Sequence, residues 1–155
     1  MSKNNALNSM QMLLTRSGSS HTVLLTSFRR NGQGVGTPVG MMSGDGKLYF
    51  MTPASTWKAR RIANTPHVRL ALCTFQGQVL SPAVDGTARR LVSAEAKRGR
   101  KLICVGAFGF LMNVFFMLRY PRDKTAVYEI ALQPLEQHEE ASTNVSRSAL
   151  GQNQK

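Results

Sequence analysis

The chain has 155 residues, 42% of them hydrophobic, with 20 Lys and Arg against 8 Asp and Glu and a formal net charge of +12. That length bounds it to one domain, or one domain with tails, and the apolar share is enough for a small core rather than a disordered chain. The charge attracts anions such as nucleotide-like cofactors, nucleic acid or acidic lipid, without choosing among them. Three of the acids, Glu136, Glu139 and Glu140, lie near the C-terminus, so the part expected to fold is more basic still.

Residues 1–20 are polar apart from Met10–Leu14 and read as a flexible arm or short helix. They lack an apolar stretch followed by a small-residue cleavage site, so a cytoplasmic location is the default expectation. His21–Arg29 is β-branched and apolar, a strand. A turn at Asn31–Gly34 leads to a second strand, Val35–Met42, with Pro38 inside it. Proline lacks the N–H for a ladder bond, so this strand belongs at an edge or carries a bulge. Asp45-Gly46 marks a hairpin turn into strand three, Lys47–Met51. Thr56–Asn64 is a short helix with Trp57 and Arg61 on one face and Ile62 beside them. Strand four is His67–Phe75; strand five lies within Gln78–Val92, with a bulge expected at Asp85-Gly86. Ser93–Tyr120 is the main helical region, Thr125–Leu132 the last strand, and 134–155 a disordered tail. Short turns between strands, one short early helix and one long late helix predict residues 21–133 to be a mainly β, six-stranded antiparallel barrel with helices outside it.

The densest chemistry is at the junction after strand three. Thr52, Ser55 and Thr56 supply hydroxyls, the helix start supplies backbone N–H groups, and Lys58, Arg60 and Arg61 supply charge. That set suits a phosphate. The plainer reading is a solvated basic helix start, although cations there oppose the helix dipole by about 0.3–1 kcal/mol each. His21, His67 and His138 have no metal-site spacing, and no Ser/His/Asp arrangement can be argued. Cys73 and Cys104 lie in apolar surroundings and read as reduced core thiols, a disulfide being the alternative.

Lys97–Lys101 is a cationic cluster, either a solvated helix face or a binder of lipid or nucleic-acid phosphate. Without interleaved aromatics it suits nucleic acid less well. Leu102–Leu118 is apolar apart from Asn113. It only just reaches the roughly 17 residues a spanning helix needs. A strand follows closely, which favours a helix buried against the barrel or a dimer groove, or a lid; peripheral membrane contact through 97–118 is the competitor.

Thr22–Arg29, Gly36-Thr37-Pro38-Val39, Gly46–Phe50, Trp57–Cys73, Gly77–Ala88 and Tyr128-Glu129-Ile130, in this order, resemble the pyridoxamine-phosphate-oxidase-like split β-barrel superfamily, and most closely its deazaflavin-dependent branch. The resemblance covers about residues 20–133. It implies a homodimer with a cofactor, coenzyme F-420 or alternatively FMN, in a groove between subunits, and hydride transfer to a small-molecule acceptor. It places the ring along Thr37, Pro38 and Val39, and the phosphate at Thr52, Ser55, Thr56, Lys58 and Arg61. Gly40-Met41-Met42 departs from it, where related sequences carry a large aromatic, and so does Trp57, where a small residue is common. Two other readings stand beside the oxidoreductase: a non-catalytic flavin, deazaflavin or haem carrier, and a basic binder of membranes or nucleic acid.

Overall fold

The computed structural model describes residues 4–5, 8–10, 12, 20–104, 111, 114–115, 117–119 and 124–133. The expected tail at 134–155 lies outside them, as do the Cys104 side chain and much of the apolar run at 102–118.

Six antiparallel strands close into a barrel in the order β1-β2-β3-β6-β5-β4. They are β1 (Ser20–Phe28), β2 (Gly34–Gly44), β3 (Lys47–Pro53), β4 (His67–Leu72), β5 (Val84–Leu91) and β6 (Thr125–Leu132). Helix α1 (Trp57–Asn64) follows β3, and α2 (Ser93–Cys104) follows β5. Period-2 alternation builds the interior. Val23 and Leu25, Leu48 and Phe50, Val68 and Leu70, and Tyr128 and Ile130 point inward from four strands, and the Phe50 and Tyr128 rings stack 5.1 Å apart. Ala59 and Ile62 of α1 join this core, and so does Met10 from the helical residues near the N-terminus. A second cluster, Tyr49, Met51, Leu91 and Val127, lies outside the barrel under Ala96, Leu102 and Ile103 of α2.

The Asp45-Gly46 hairpin is as expected, with φ of 52° and 73°. Both values are positive, as the tightest hairpin turns require. The β2–β3 seam is short. Strand β2 pairs with β1 from Gly34 to Met42 but with β3 only through Met42–Gly44. Gly34–Met41 is therefore an edge, where Pro38 is tolerated, and the barrel is split there.

Several local expectations differ from the structure. Strand β4 stops at Leu72 because the chain turns away: Thr74 N–H donates to Gln78 O and Gly77 N–H to Thr74 O. Strand β5 starts only at Val84, after the interruption at Ser81-Pro82. The ladder runs through Asp85-Gly86 without a bulge. The fit is close there: a Cβ on Gly86 would meet Ala131 O at 3.1 Å. The buried stripe of α1 is Ala59 and Ile62; Trp57 is 72% exposed, with the Arg60 guanidinium 5.0 Å from its ring centroid. Among the described residues of the apolar run, Leu102 and Ile103 pack on the barrel, and Leu111 and Leu118 are exposed. No helix among the described residues is long and apolar enough to cross a membrane.

Candidate phosphate-binding site at the barrel split

Thr52 ends the inward row of β3 and is buried. Its hydroxyl lies 3.4 Å from that of Thr56, which caps α1 by accepting from Ala59 N–H at 3.3 Å and donating to Pro53 O at 2.9 Å. The Thr56 hydroxyl is thus committed to starting the helix. Ser55 is exposed at the turn.

The cap fixes where the next two turns point. Ala59 and Ile62 enter the core, and Arg61 reaches β1 along the flank. Arg61 Nε donates to Ser27 Oγ at 2.8 Å. Ser27 is fully buried and takes the inward position after Val23 and Leu25, a hydroxyl in an otherwise apolar row. Arg29, two residues on, is close enough that its charge disfavours protonation of Arg61, second to burial.

Lys58 is half-buried, and no carboxylate among the described residues pairs with it or with Arg61. Burial, then the Arg61 charge, pulls its ammonium down from the ordinary 10.5 to about 8. Folding thus brings Lys58 and Arg29 near enough to Arg61, which holds the Ser27 hydroxyl, for their charges to act on it, with no acid among the described residues ion-paired to any of the three. Such a cluster favours a small multivalent anion. Ser27 and Arg29 were not among the residues singled out from sequence.

The register ties this cluster to the split. Ser27 pairs with Val35, and Leu25 with Thr37, so Thr37 lies two residues along the same face, about 7 Å away. Thr37 and Val39 are half-buried and face inward with Leu25 and Val23. Pro38 is exposed on the opposite face, between Gly36 and Gly40. The three predicted ring contacts share the free edge of β2 but not one face. The outer face beside Pro38 is almost without side chains, and a Cβ on Gly36 would meet Leu24 Cδ1 at 3.2 Å. The turn at Thr74–Gln78 leans on this strip, with Gly77 close to the Pro38 ring, and exposes Phe75, Val79 and Leu80. No group of His, Cys, Asp and Glu among the described residues forms a metal site.

Solved structures share this architecture. A protein of unknown function from Agrobacterium tumefaciens superposes with a TM-score of 0.60 at 16% identity, over 86% of this chain and 58% of its own length. The chain thus spans little more than half of that protein. A FAD-binding protein from Mesorhizobium loti gives 0.58 at 17% identity, covering 83% of this chain and 88% of its own. The heme storage protein of Vibrio cholerae gives 0.58 at 9% identity, covering 83% and 91%. At such identities these likenesses show the fold and nothing finer. No curated protein matches the chain. The family model described as pyridoxamine 5'-phosphate oxidase matches residues 12–103, more than half of the sequence, and the chain belongs to that family.

Proposed function

We propose that this protein is an oxidoreductase of the deazaflavin-dependent branch, with coenzyme F-420, or alternatively FMN, held at the barrel split of a homodimer. The observation that carries the reading is Lys58: a half-buried ammonium beside Arg61, without a carboxylate among the described residues and lowered to about 8. A cation left in that position costs folding free energy, and a phosphate would offset the cost. The residues present fit such a group. Among the described residues Arg61 is held through its Nε by Ser27, which leaves its terminal amino groups for an anion, and Thr52 carries a buried hydroxyl beside the Thr56 cap. Thr37 and Val39 line the open edge that would receive a flat ring, and the Gly36–Gly40 strip lets a second subunit approach the backbone. When bound, the cofactor supplies two-electron hydride chemistry; the chain supplies position and charge.

The FAD-binding neighbour favours a flavin-type ring. The heme storage neighbour favours a second reading, a carrier without turnover. Equilibrium dialysis with coenzyme F-420, FMN and haem, read by absorption, separates them. Retention of a deazaflavin or FMN at micromolar concentration, with hydride transfer to a quinone, tetrazolium or enone acceptor, is the expected result. A retained Soret band, or a retained ring with no turnover, selects the carrier. Loss of all three ligands removes the proposal.

A further inference from the structure

Five exposed large apolar side chains among the described residues fall within 111–118, all at helical positions: Leu111, Val114, Phe115, Met117 and Leu118. Leu111, Met117 and Leu118 are 65%, 67% and 78% exposed. Positions 111, 114, 115 and 118 recur at the spacing of one helical stripe. Just upstream, α2 exposes Lys97, Arg98 and Lys101, while Arg100 is tied to the barrel through Thr125 O at 3.1 Å. No Asp or Glu occurs between Glu95 and Asp123, and Glu95 is itself held by Arg89 at 3.0 Å. An apolar stripe and an uncompensated basic face thus lie on one stretch of chain.

We infer that this part of the chain docks on an anionic lipid surface, with Leu111, Val114, Phe115, Met117 and Leu118 at the boundary of headgroups and acyl chains and Lys97, Arg98 and Lys101 on the headgroups. Charge complementarity selects the occupant. A second copy carries the same excess of cations and brings no net negative charge to meet them. A lipid leaflet accepts an apolar stripe without shape matching and supplies the missing negative charge. The segment cannot pass through the bilayer, because β6 follows directly and pairs with β3 and β5 of the same barrel.

The test is sedimentation of the full chain with vesicles of phosphatidylcholine alone and vesicles enriched in phosphatidylglycerol, at low and high salt. Binding is expected only to the anionic vesicles, weakened as salt shortens the screening length. Replacing Lys97→Gln, Arg98→Gln and Lys101→Gln together should lower the partition roughly 100-fold, about fivefold for each cation. Leu111→Ser with Leu118→Ser should lower it at least about tenfold. The charge variant leaves every core residue in place, so it decides the matter even if the apolar variant folds poorly. Equal partition into neutral vesicles, partition into neither kind, capture of duplex DNA in preference to vesicles, or a dimer that dissociates in the leucine variant would each overturn the inference.

Discussion

Lys58 sets two pH dependences of opposite kind. The unfolded chain keeps this lysine protonated to about pH 10.5, the folded protein without ligand only to about pH 8. Between these values the unfolded state binds more protons, so stability rises with pH across that window. At pH 7 the folded state carries the whole penalty, about 1–3 kcal/mol after allowance for partial solvent screening. Lys58→Met should therefore stabilise the ligand-free protein at pH 7 by about that amount and flatten the alkaline rise, as thermal unfolding between pH 7 and 10 would show. The same change should weaken phosphate-ligand binding by about 1.5–3 kcal/mol, roughly 10- to 150-fold. In the unaltered protein, ligand affinity should fall above about pH 8 as the ammonium loses its proton. A variant that alters neither stability nor affinity would remove Lys58 from the site. The cations of α1 were legible in sequence because they are adjacent. Ser27 and Arg29 were not, since they reach the site from a strand three turns of chain earlier; the available signal was a hydroxyl in the inward row after Val23 and Leu25.

At the scale of elements, alternation made the strands readable, and the Pro38 edge followed from a missing N–H. Alternation cannot show where a strand stops, because Cys73 and Val79 continue the apolar pattern of β4 into a hairpin that leaves the sheet. Alternation itself sets Pro38 on the opposite face of the edge from Thr37 and Val39, so the three cannot all touch one side of a ring. Helix α2 was legible as a helix packed outside the barrel, but the residues it packs on were not. Gly99 reads as a weak point, costing about 1 kcal/mol against alanine in a helix interior. The structure gives it a purpose: a Cβ there would lie 2.8 Å from Val127 Cγ1 and 3.2 Å from Leu91 Cδ1. Val127 is β-branched and buried, so it cannot swing aside. Gly99→Val should therefore destabilise the protein by about 1–3 kcal/mol despite the better helix former, through overpacking of α2 on Tyr49, Leu91 and Val127. Urea unfolding would show a lower midpoint; an unchanged or raised midpoint would mean that α2 does not seat where the structure places it.

The whole molecule carries +12 and presents two separate apolar surfaces, one at Phe75, Val79 and Leu80 beside the open edge and one at residues 111–118. Their surroundings give them opposite responses to salt. The open-edge surface sits where the proposed second subunit would wall the cofactor groove. Two copies at +12 repel each other over roughly 10 Å at 0.1 M salt and over about 3 Å at 1 M. A dimer closed by Phe75, Val79, Leu80 and the Pro38 strip should therefore tighten as salt is added, since salt screens the repulsion and leaves apolar burial intact. Binding to lipid, driven by attraction of the same cations to an anionic surface, should loosen over the same range. Sedimentation velocity across this salt series, with Phe75→Ser and Leu80→Ser together as the interface variant, reads the first effect. The expected outcome is a dimer that strengthens with salt, becomes monomeric in the variant, and loses cofactor retention with it. A monomer under all conditions, or a dimer weakened by salt, would mean that the open edge is not closed by a second copy, and the groove proposed for the cofactor would then have only one wall.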